Sequence, residues 1–270
     1  MRAPSSLRSL PSLILSILLG SGAFAAASPH AHAAPAQAEM VQMLQVIDDR
    51  QQNGGDYKST VYIERKEKDK SDLVYQAQVY RRDASDKLVI FFIAPKEEAG
   101  KGYLRVDKSL FFYDPTVGKW ERRTEREKIG GTDSNRADFD ESRLAVEYVP
   151  AYVGAETLGK FQVHHLKLTA TAEADVAFPV VEMWLDQATG NTMKRQDFAL
   201  SGRLMRTTYY PSWMKLYSES KKADVYYPKE IRIYDEVEKD NTTTIVIQAV
   251  DLHSLDDSIF TKAWLESKSR

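Results

Sequence analysis

The sequence contains no cysteine among its 270 residues, and its formal net charge is only −2. Neither a disulfide framework nor a cysteine for lipid attachment is therefore available. The charge lacks the basic excess that is typical of nucleic-acid-binding proteins. Beyond the first 25 residues, no apolar run approaches the ~20 residues that a membrane-crossing helix needs. We therefore expect a soluble, unanchored protein with no nucleic-acid partner and no stable membrane insertion.

The first residues have the pattern of a secretion signal. Arg2 and Arg8 precede the apolar run "LPSLILSILLG", and small residues follow, including Ala23–Ala25. The pattern predicts a signal peptide over residues 1–25, and a second small-residue site would place the cut as late as residue 33. Residues 26–37 are predicted to form a disordered leader. One domain is predicted over residues 38–270.

Most of the remaining chain has the periodicity of β-strands. Alternation is clearest over residues 73–80, and residues 57–66 are predicted to pair with that strand as a hairpin. Roughly eleven strands joined by short turns predict an antiparallel meander, which must close into a barrel or curl around a cover. One amphipathic helix from about Ala38 precedes the strands, and its apolar face carries Met40, Met43, Leu44 and Ile47.

A polar, turn-rich insertion at about 125–150 interrupts the strand pattern. It is predicted to be a long loop with a short helix, because Asp138 and Glu141 have the spacing of a capping box. A short closing helix is predicted near the end of the chain from the apolar residues Leu255, Ile259, Phe260, Ala263 and Trp264.

The segment "KLVIFFIAP", Lys87–Pro95, is apolar at every position from Leu88 to Ala94. A strand in a sheet with one wet face should alternate apolar and polar residues. One face of this strand is therefore predicted to line an apolar interior. Its other face needs a cover from a helix or a partner, since an uncovered edge of this composition would aggregate.

No catalytic motif in the sequence is complete. Gly154–Phe161 lacks the Ser or Thr that a phosphate-binding loop places on magnesium, and it is interpreted as a turn. Ser218–Lys221 matches Ser-x-x-Lys without its companion motifs. His164 and His165 are adjacent on a predicted strand, so they should face opposite sides and cannot share a metal ion.

Four segments in order carry a family resemblance: "GYLRVDKSLFFYDPTVGKWERR", "GGTDSNRADFDESRL", "VVEMWLDQATGNTMKRQDF" and "YYPKEIRIYDEVEKDNTTTIVIQAVDLHSLDDSIFTKAWLE". The resemblance covers about Val61 to Glu266. Their order and joint occurrence resemble the LolA-like family of periplasmic outer-membrane lipoprotein-sorting proteins. The long insertion is similar to the branch of that family associated with inner-membrane RND-type exporters. No cargo-contacting arginine of the family can be matched to a position here.

The resemblance implies a mainly β fold, in which a strongly curved antiparallel sheet forms an incomplete, or half, barrel covered by a few short helices. It implies a non-catalytic periplasmic carrier of lipid or lipoprotein acyl chains, without cofactor or metal, that works between an exporter and an outer-membrane acceptor. The helix face Met40, Met43, Leu44 and Ile47 is the candidate lid. The candidate cavity lining is Val61, Ile63, Tyr75, Ala77, Val79, Val89, Phe91, Ile93, Leu104, Phe112, Met183 and Leu185.

Several alternatives stay open at this level. In the strand Lys87–Pro95, the opposite set Leu88, Ile90 and Phe92 could line the cavity instead. The same fold could serve an enzyme acting on envelope lipid or glycan, or a lipid sensor that reports to a regulator. An outer-membrane barrel is disfavoured by the many charged residues on the predicted strands and by the C-terminal sequence "ESKSR".

Overall fold

The computed structural model describes residues 34–269 except 53–54, 107–108, 125–126, 135–137 and 139–141. The predicted signal peptide, most of the leader and Glu141 lie outside the described residues. The described helices are α1 (Gln37–Gln51), α2 (Leu144–Glu147) and α3 (Lys262–Lys268). In the described part of the chain, no helix combines the length and apolar character required to cross a membrane.

Within the residues described, thirteen strands form one antiparallel sheet, so the mainly β prediction is confirmed and the predicted number of strands was too low. The sheet is open: β6 and β7 are its two ends in the order β6-β5-β4-β3-β2-β1-β13-β12-β11-β10-β9-β8-β7. The strands are β1 (Asp56–Lys66), β2 (Leu73–Arg82), β3 (Lys87–Ala94), β4 (Gly102–Val106), β5 (Ser109–Asp114), β6 (Lys119–Arg123), β7 (Tyr148–Leu158), β8 (Phe161–Ala170), β9 (Val180–Asp186), β10 (Thr192–Phe198), β11 (Leu204–Ser218), β12 (Ala223–Asp235) and β13 (Thr242–Asp251).

The differences between the predicted and the observed strands have identifiable causes. Strand β7 begins at Tyr148, inside the predicted insertion, and Gly154, interpreted as part of a turn, lies within that strand. Strands β11 and β12 continue through Pro211 and Pro228, although proline lacks the N–H of a sheet ladder. The ladder between β11 and β12 shifts register between Tyr209 and Trp213, which accommodates both prolines.

The sheet wraps around its inner face. Helix α1 contacts both β7 and β12, which are separated by four strands in the sheet. Neighbouring strands lie ~4.8 Å apart, so in a flat sheet these two strands would be roughly 24 Å apart, farther than one helix of ~10 Å diameter can reach. Strong curvature brings both strands within contact of α1, as the half-barrel prediction requires.

Helix α1 packs its apolar face onto one end of the inner surface. Met40, Leu44 and Ile47 recur at helical spacing and are buried, and Met43 packs beside them. Together with side chains of α2 and β7–β9 they form the helix cluster: Met40, Leu44, Ile47, Leu144, Tyr148, Leu166, Leu168, Val181, Met183 and Leu185.

The rest of the inner surface belongs to a second group, here called the sheet cluster. It contains Tyr57, Val61, Ile63, Tyr75, Ala77, Val79, Leu88, Ile90, Phe92, Tyr103, Leu110, Ile129, Val225, Tyr227, Ile233, Ile245 and Ile247. The insertion covers this cluster beside β3: Ile129 is buried, and Gly130 N donates to the Tyr103 hydroxyl at 2.9 Å. A Cβ on Gly130 would lie 3.0 Å from the Phe92 ring, and its φ is +59°, so this close cover requires glycine.

The C-terminal segment covers the opposite face of β3. Val89 packs with Tyr80, Leu104, Phe260 and Leu265 in the outer cluster. Helix α3 approaches so closely that a Cβ on Gly102 would lie 2.9 Å from Leu265 Cδ1. Strand β3 is apolar on both faces because one face contacts the insertion and the other contacts the closing helices.

Candidate functional site

A cavity of about 840 Å³ lies on the inner face, between the sheet cluster and the helix cluster. Its walls are formed by α2, by strands from both halves of the strand order and by the insertion. Known small-molecule sites have volumes of ~300–1,000 Å³, so this space suits a ligand of that size.

The middle of the cavity is apolar. Ile231 and Ile245 are paired across β12 and β13, and Val61 and Ile247 are paired across β1 and β13. Because alternate residues of a strand share a face, these pairs form consecutive apolar rows along the inner surface. The apolar side chains that line this part are Val61, Val79, Ile231, Ile233, Ile245 and Ile247.

An aromatic and polar group lines the cavity beside the end of β2. The rings of Tyr57 and Tyr227 lie 4.9 Å apart, and Arg81 lies 5.5 Å above the Tyr57 ring while pairing with Asp83 at 2.8 Å. Burial raises the pKa of Tyr227, so its phenol is neutral at physiological pH. Its buried hydroxyl has no hydrogen-bond partner among the described residues.

A buried ionic network lies beside the cavity on β10 and β11. Asp197 is fully buried; its Oδ1 accepts from Arg195 Nε at 2.6 Å, and its Oδ2 accepts from Arg206 Nε at 2.5 Å. Arg206 also forms a bidentate ion pair with Asp138 of the insertion: Nη1 donates to Oδ2 at 2.8 Å, and Nη2 donates to Oδ1 at 2.6 Å. Burial raises the pKa of Asp197, but the two guanidinium groups lower it further, so the pKa lies below its ordinary value.

Three polar side chains near this network face the cavity and are here called the polar subsite: Arg195, Thr208 and Tyr210. Arg195 and Thr208 are directly opposite each other on β10 and β11. Thr208 is 3% exposed, and within the described structure its hydroxyl has no hydrogen-bond partner. Burial raises the pKa of Tyr210 to about 12, which keeps its hydroxyl protonated.

The cavity lining near α2 carries acidic groups. Glu147, Glu173 and Asp175 all line this part. Burial, followed by repulsion from Asp48 and Asp175, raises the pKa of Glu147 although Arg143 opposes the shift. Negative charge is therefore already crowded at this end of the lining, which disfavours an anionic ligand group there.

Helix α1 is attached to the neighbouring elements at both ends. Gln37 Nε2 donates to the Pro150 carbonyl at 3.0 Å, and Lys221 pairs with Asp49 at 2.9 Å. Near the C-terminal end, the buried Asp48 accepts from the backbone N–H groups of Leu144 and Ala145 at 2.9 and 2.8 Å. Asp48 thus satisfies the free N–H groups at the start of α2, which couples α1 to the end of the insertion.

The predicted cavity residues fall into distinct locations. Val61, Val79 and Met183 line the cavity. Ile63, Tyr75 and Ala77 belong to the sheet cluster, Phe112 packs against that cluster, and Leu185 belongs to the helix cluster. The lid candidates Met40, Leu44 and Ile47 are buried in the helix cluster. The fourth candidate, Met43, is partly buried and packs against that cluster.

The set predicted on β3 lies elsewhere. Val89 and Phe91 pack in the outer cluster with Leu104, and Ile93 is 39% exposed beside a register irregularity between β2 and β3. The alternative set Leu88, Ile90 and Phe92 faces inward. Neither set lines the cavity. Composition could not distinguish the inward face of β3 from its outward face, because the strand is apolar on both.

Sequence analysis did not find the polar subsite. Arg195, Thr208 and Tyr210 stand in segments where polar and apolar residues mix, as on any half-exposed strand. The available signal was the pair of prolines: the register shift beside Pro211 follows Tyr210 directly. Register irregularities are frequent near functional sites, so the two prolines are the local sequence feature that points to this segment.

The two adjacent histidines face different surroundings, as predicted. His165 is 7% exposed and stacks on Trp184 at 4.0 Å, and its ring nitrogens contact Glu156 and Glu182 at 2.7 and 3.1 Å. His164 is only half-buried. Across the described ranges, no cluster of three His, Asp or Glu side chains has the geometry of a metal site.

Residues 84–267 match the model of a protein family that carries the description "Uncharacterized protein". This span exceeds half of the 270-residue chain. The chain belongs to that family. No curated protein matches it in sequence.

Solved structures establish that the family member described here has the LolA-like fold. A LolA superfamily protein from Nitrosomonas europaea superposes with a TM-score of 0.68 and 20% identity, covering 85% of this chain and 100% of its own. A domain from Vibrio parahaemolyticus assigned to outer membrane lipoprotein sorting superposes with a TM-score of 0.71 and 15% identity, covering 85% of this chain and 99% of its own. A DUF1329 family protein from Desulfovibrio piger superposes with a TM-score of 0.73 and 14% identity, covering 86% of this chain and 100% of its own.

Proposed function

We propose that this protein is a non-catalytic periplasmic carrier that shelters the acyl chains of a lipid or lipoprotein between an inner-membrane exporter of the RND type and an outer-membrane acceptor. The cavity of about 840 Å³ with its apolar middle is the observation that carries the proposal. The LolA-like fold and the lipoprotein-sorting assignment of the Vibrio domain support it. The predicted signal peptide supports the periplasmic location.

Burial of hydrocarbon supplies the binding energy in this proposal. Each methylene removed from water contributes ~0.8 kcal/mol, so a chain with about a dozen buried methylenes gains roughly 10 kcal/mol before costs. Loss of chain freedom and ordering of the cavity wall offset part of that gain. The net affinity must stay moderate, because a carrier has to release its cargo.

Transfer of an acyl-chain probe between vesicles tests the carrier function. We expect the full-length protein to extract a fluorescent fatty-acyl lipid from donor vesicles and deliver it to acceptor vesicles at a rate proportional to protein concentration. Failure to bind the lipid would contradict the proposal. Binding without delivery would favour a lipid sensor, and chemical conversion of the lipid would favour an enzyme.

Release is expected to need displacement of α1, which packs over one end of the cavity. The chain has no native cysteine, so Asp49→Cys with Lys221→Cys creates a single thiol pair at an existing ion pair. A short bismaleimide joining the two thiols should lower the transfer rate by about tenfold or more, since a bound state that cannot open keeps its cargo.

The same double variant without the bismaleimide is the control and should transfer at the rate of the unmodified protein. A cross-linked protein that binds and releases lipid normally would contradict the lid role of α1. That result would leave the carrier function itself intact.

A further inference from the structure

The cavity wall contains more unpaired polar groups than an apolar chain requires. Buried hydroxyl groups in folded proteins almost always have a hydrogen-bond partner. Within the described residues, the cavity-lining hydroxyls of Ser134, Thr192, Thr208 and Tyr227 are buried without one. This concentration on one surface indicates that the ligand itself carries polar atoms.

The polar subsite, which contains Thr208, is the best candidate for binding the polar atoms of the ligand. The Thr208 hydroxyl is unpaired, and the Arg195 guanidinium, directly opposite on β10, forms its hydrogen bond to Asp197 through Nε. No hydrogen bond joins the two terminal nitrogens of Arg195, or the hydroxyl of Tyr210, to any residue in the described part of the chain. N–H and O–H donors therefore face the cavity together, which suits an oxygen acceptor on the ligand.

The charge balance favours an uncharged acceptor. Arg195 and Arg206 are already matched by Asp197 and Asp138 within the ionic network. The charged residues that line the cavity include more acids than bases: Asp86, Asp138, Glu147, Glu173 and Asp175 against Arg81, Arg143 and Arg195. An added anion would be repelled by this excess, whereas a neutral carbonyl would not.

We infer that the polar subsite binds the ester carbonyl groups of an uncharged acyl lipid, while the apolar middle of the cavity holds its chains. The inference rests on the proposed carrier function and names its ligand class. Ester carbonyls of this kind occur in diacylglycerols and in the diacylglyceryl group of lipoproteins. The polar subsite would orient the ligand with its carbonyl end beside β10 and β11.

Matched ester and ether lipids test the inference. Affinities of the full-length protein are measured for 1,2-dioleoylglycerol and for 1,2-di-O-oleylglycerol, which has the same chains without carbonyl oxygens. A diacylated lipopeptide and its dialkyl ether form provide the second pair. We expect the ester to bind about tenfold more tightly in at least one pair, as expected for one or two hydrogen bonds. The pair that shows the preference identifies the source of the ester.

Two conservative variants locate the effect. Thr208→Val removes only the unpaired hydroxyl, and Arg195→Lys keeps the positive charge beside Asp197 but loses the guanidinium donors. Each variant should lower the ratio of ester affinity to ether affinity by several-fold, with little change in the ether affinity itself. Tyr80→Phe removes a hydroxyl from the outer cluster, where it donates to Gln78, and should leave the preference unchanged.

The outcomes separate this inference from the carrier function. Equal affinity for ester and ether would overturn the inference while leaving an acyl-chain carrier. Tighter binding of dioleoylphosphatidylglycerol than of dioleoylglycerol by about tenfold would overturn the choice of an uncharged ligand. Binding of none of these lipids would overturn the proposed function as well.

Discussion

Ile231→Trp is expected to lower the affinity of the protein for a fatty-acyl probe by at least about tenfold. Ile231 is half-buried and lines the apolar middle of the cavity, so a larger side chain can enter the empty space. An indole that displaces only two methylenes of the ligand removes ~1.6 kcal/mol of burial, which exceeds the 1.4 kcal/mol that corresponds to a factor of ten. Titration of the probe by fluorescence measures the change.

Ile93→Trp is the matched control. Ile93 is 39% exposed on β3 and does not line the cavity. The same substitution at this position should leave the probe affinity within about twofold of that of the unmodified protein, because the cavity volume available to the ligand is unchanged. Equal loss of affinity in both variants would show that the effect arises from general destabilisation, and full affinity in Ile231→Trp would place the ligand outside this cavity.

Asp197→Asn is expected to lower the free energy of unfolding by about 3–5 kcal/mol at pH 7. The substitution leaves two guanidinium groups, of Arg195 and Arg206, without their shared buried carboxylate, and breaking one side of a buried ion pair has a cost of this size. Asp224→Asn is the control, because Asp224 pairs with Lys215 at the surface, where solvent screens the pair and its loss should change stability far less. Urea unfolding of both variants provides the comparison.

The pH dependence of the Asp197 contribution has a defined sign. The pKa of Asp197 in the folded protein lies below its ordinary value of 3.8, so the ionised carboxylate stabilises the fold above that pH. The contribution is lost as the pH falls and the carboxylate takes up a proton. The stability difference between the unmodified protein and Asp197→Asn should therefore stay constant from about pH 7 to 5 and shrink below about pH 4. A difference that grows in acid would contradict the network as described.

Local pattern was sufficient to predict the elements with strong periodicity. The alternation at Tyr75, Ala77 and Val79 gave β2, and the spacing of Met40, Leu44 and Ile47 gave α1 with its buried face. The apolar run of β3 predicted two covered faces, and the insertion and C-terminal helices provide them. Each of these predictions depends on neighbours within a few residues, which is the range over which periodicity is informative.

The site depends on contacts that no local pattern contains. Arg195 and Thr208 are 13 positions apart and meet only through the β10–β11 register, which the irregularity at Asp197 and Phe198 shifts. Asp48 caps α2 across 96 residues, and its role requires the curved sheet to be in place. Inward and outward faces of β3 were likewise undetermined until both covering elements were placed.

Native mass spectrometry of the full-length protein purified from the envelope of its own host tests the central claim most directly. We expect one lipid per protein, with ester-linked chains and no net charge, and we expect Ile231→Trp purified in the same way to carry little or none. A protein that leaves its host without bound lipid, or that keeps the same lipid after Ile231→Trp, would contradict the cavity as the site of cargo.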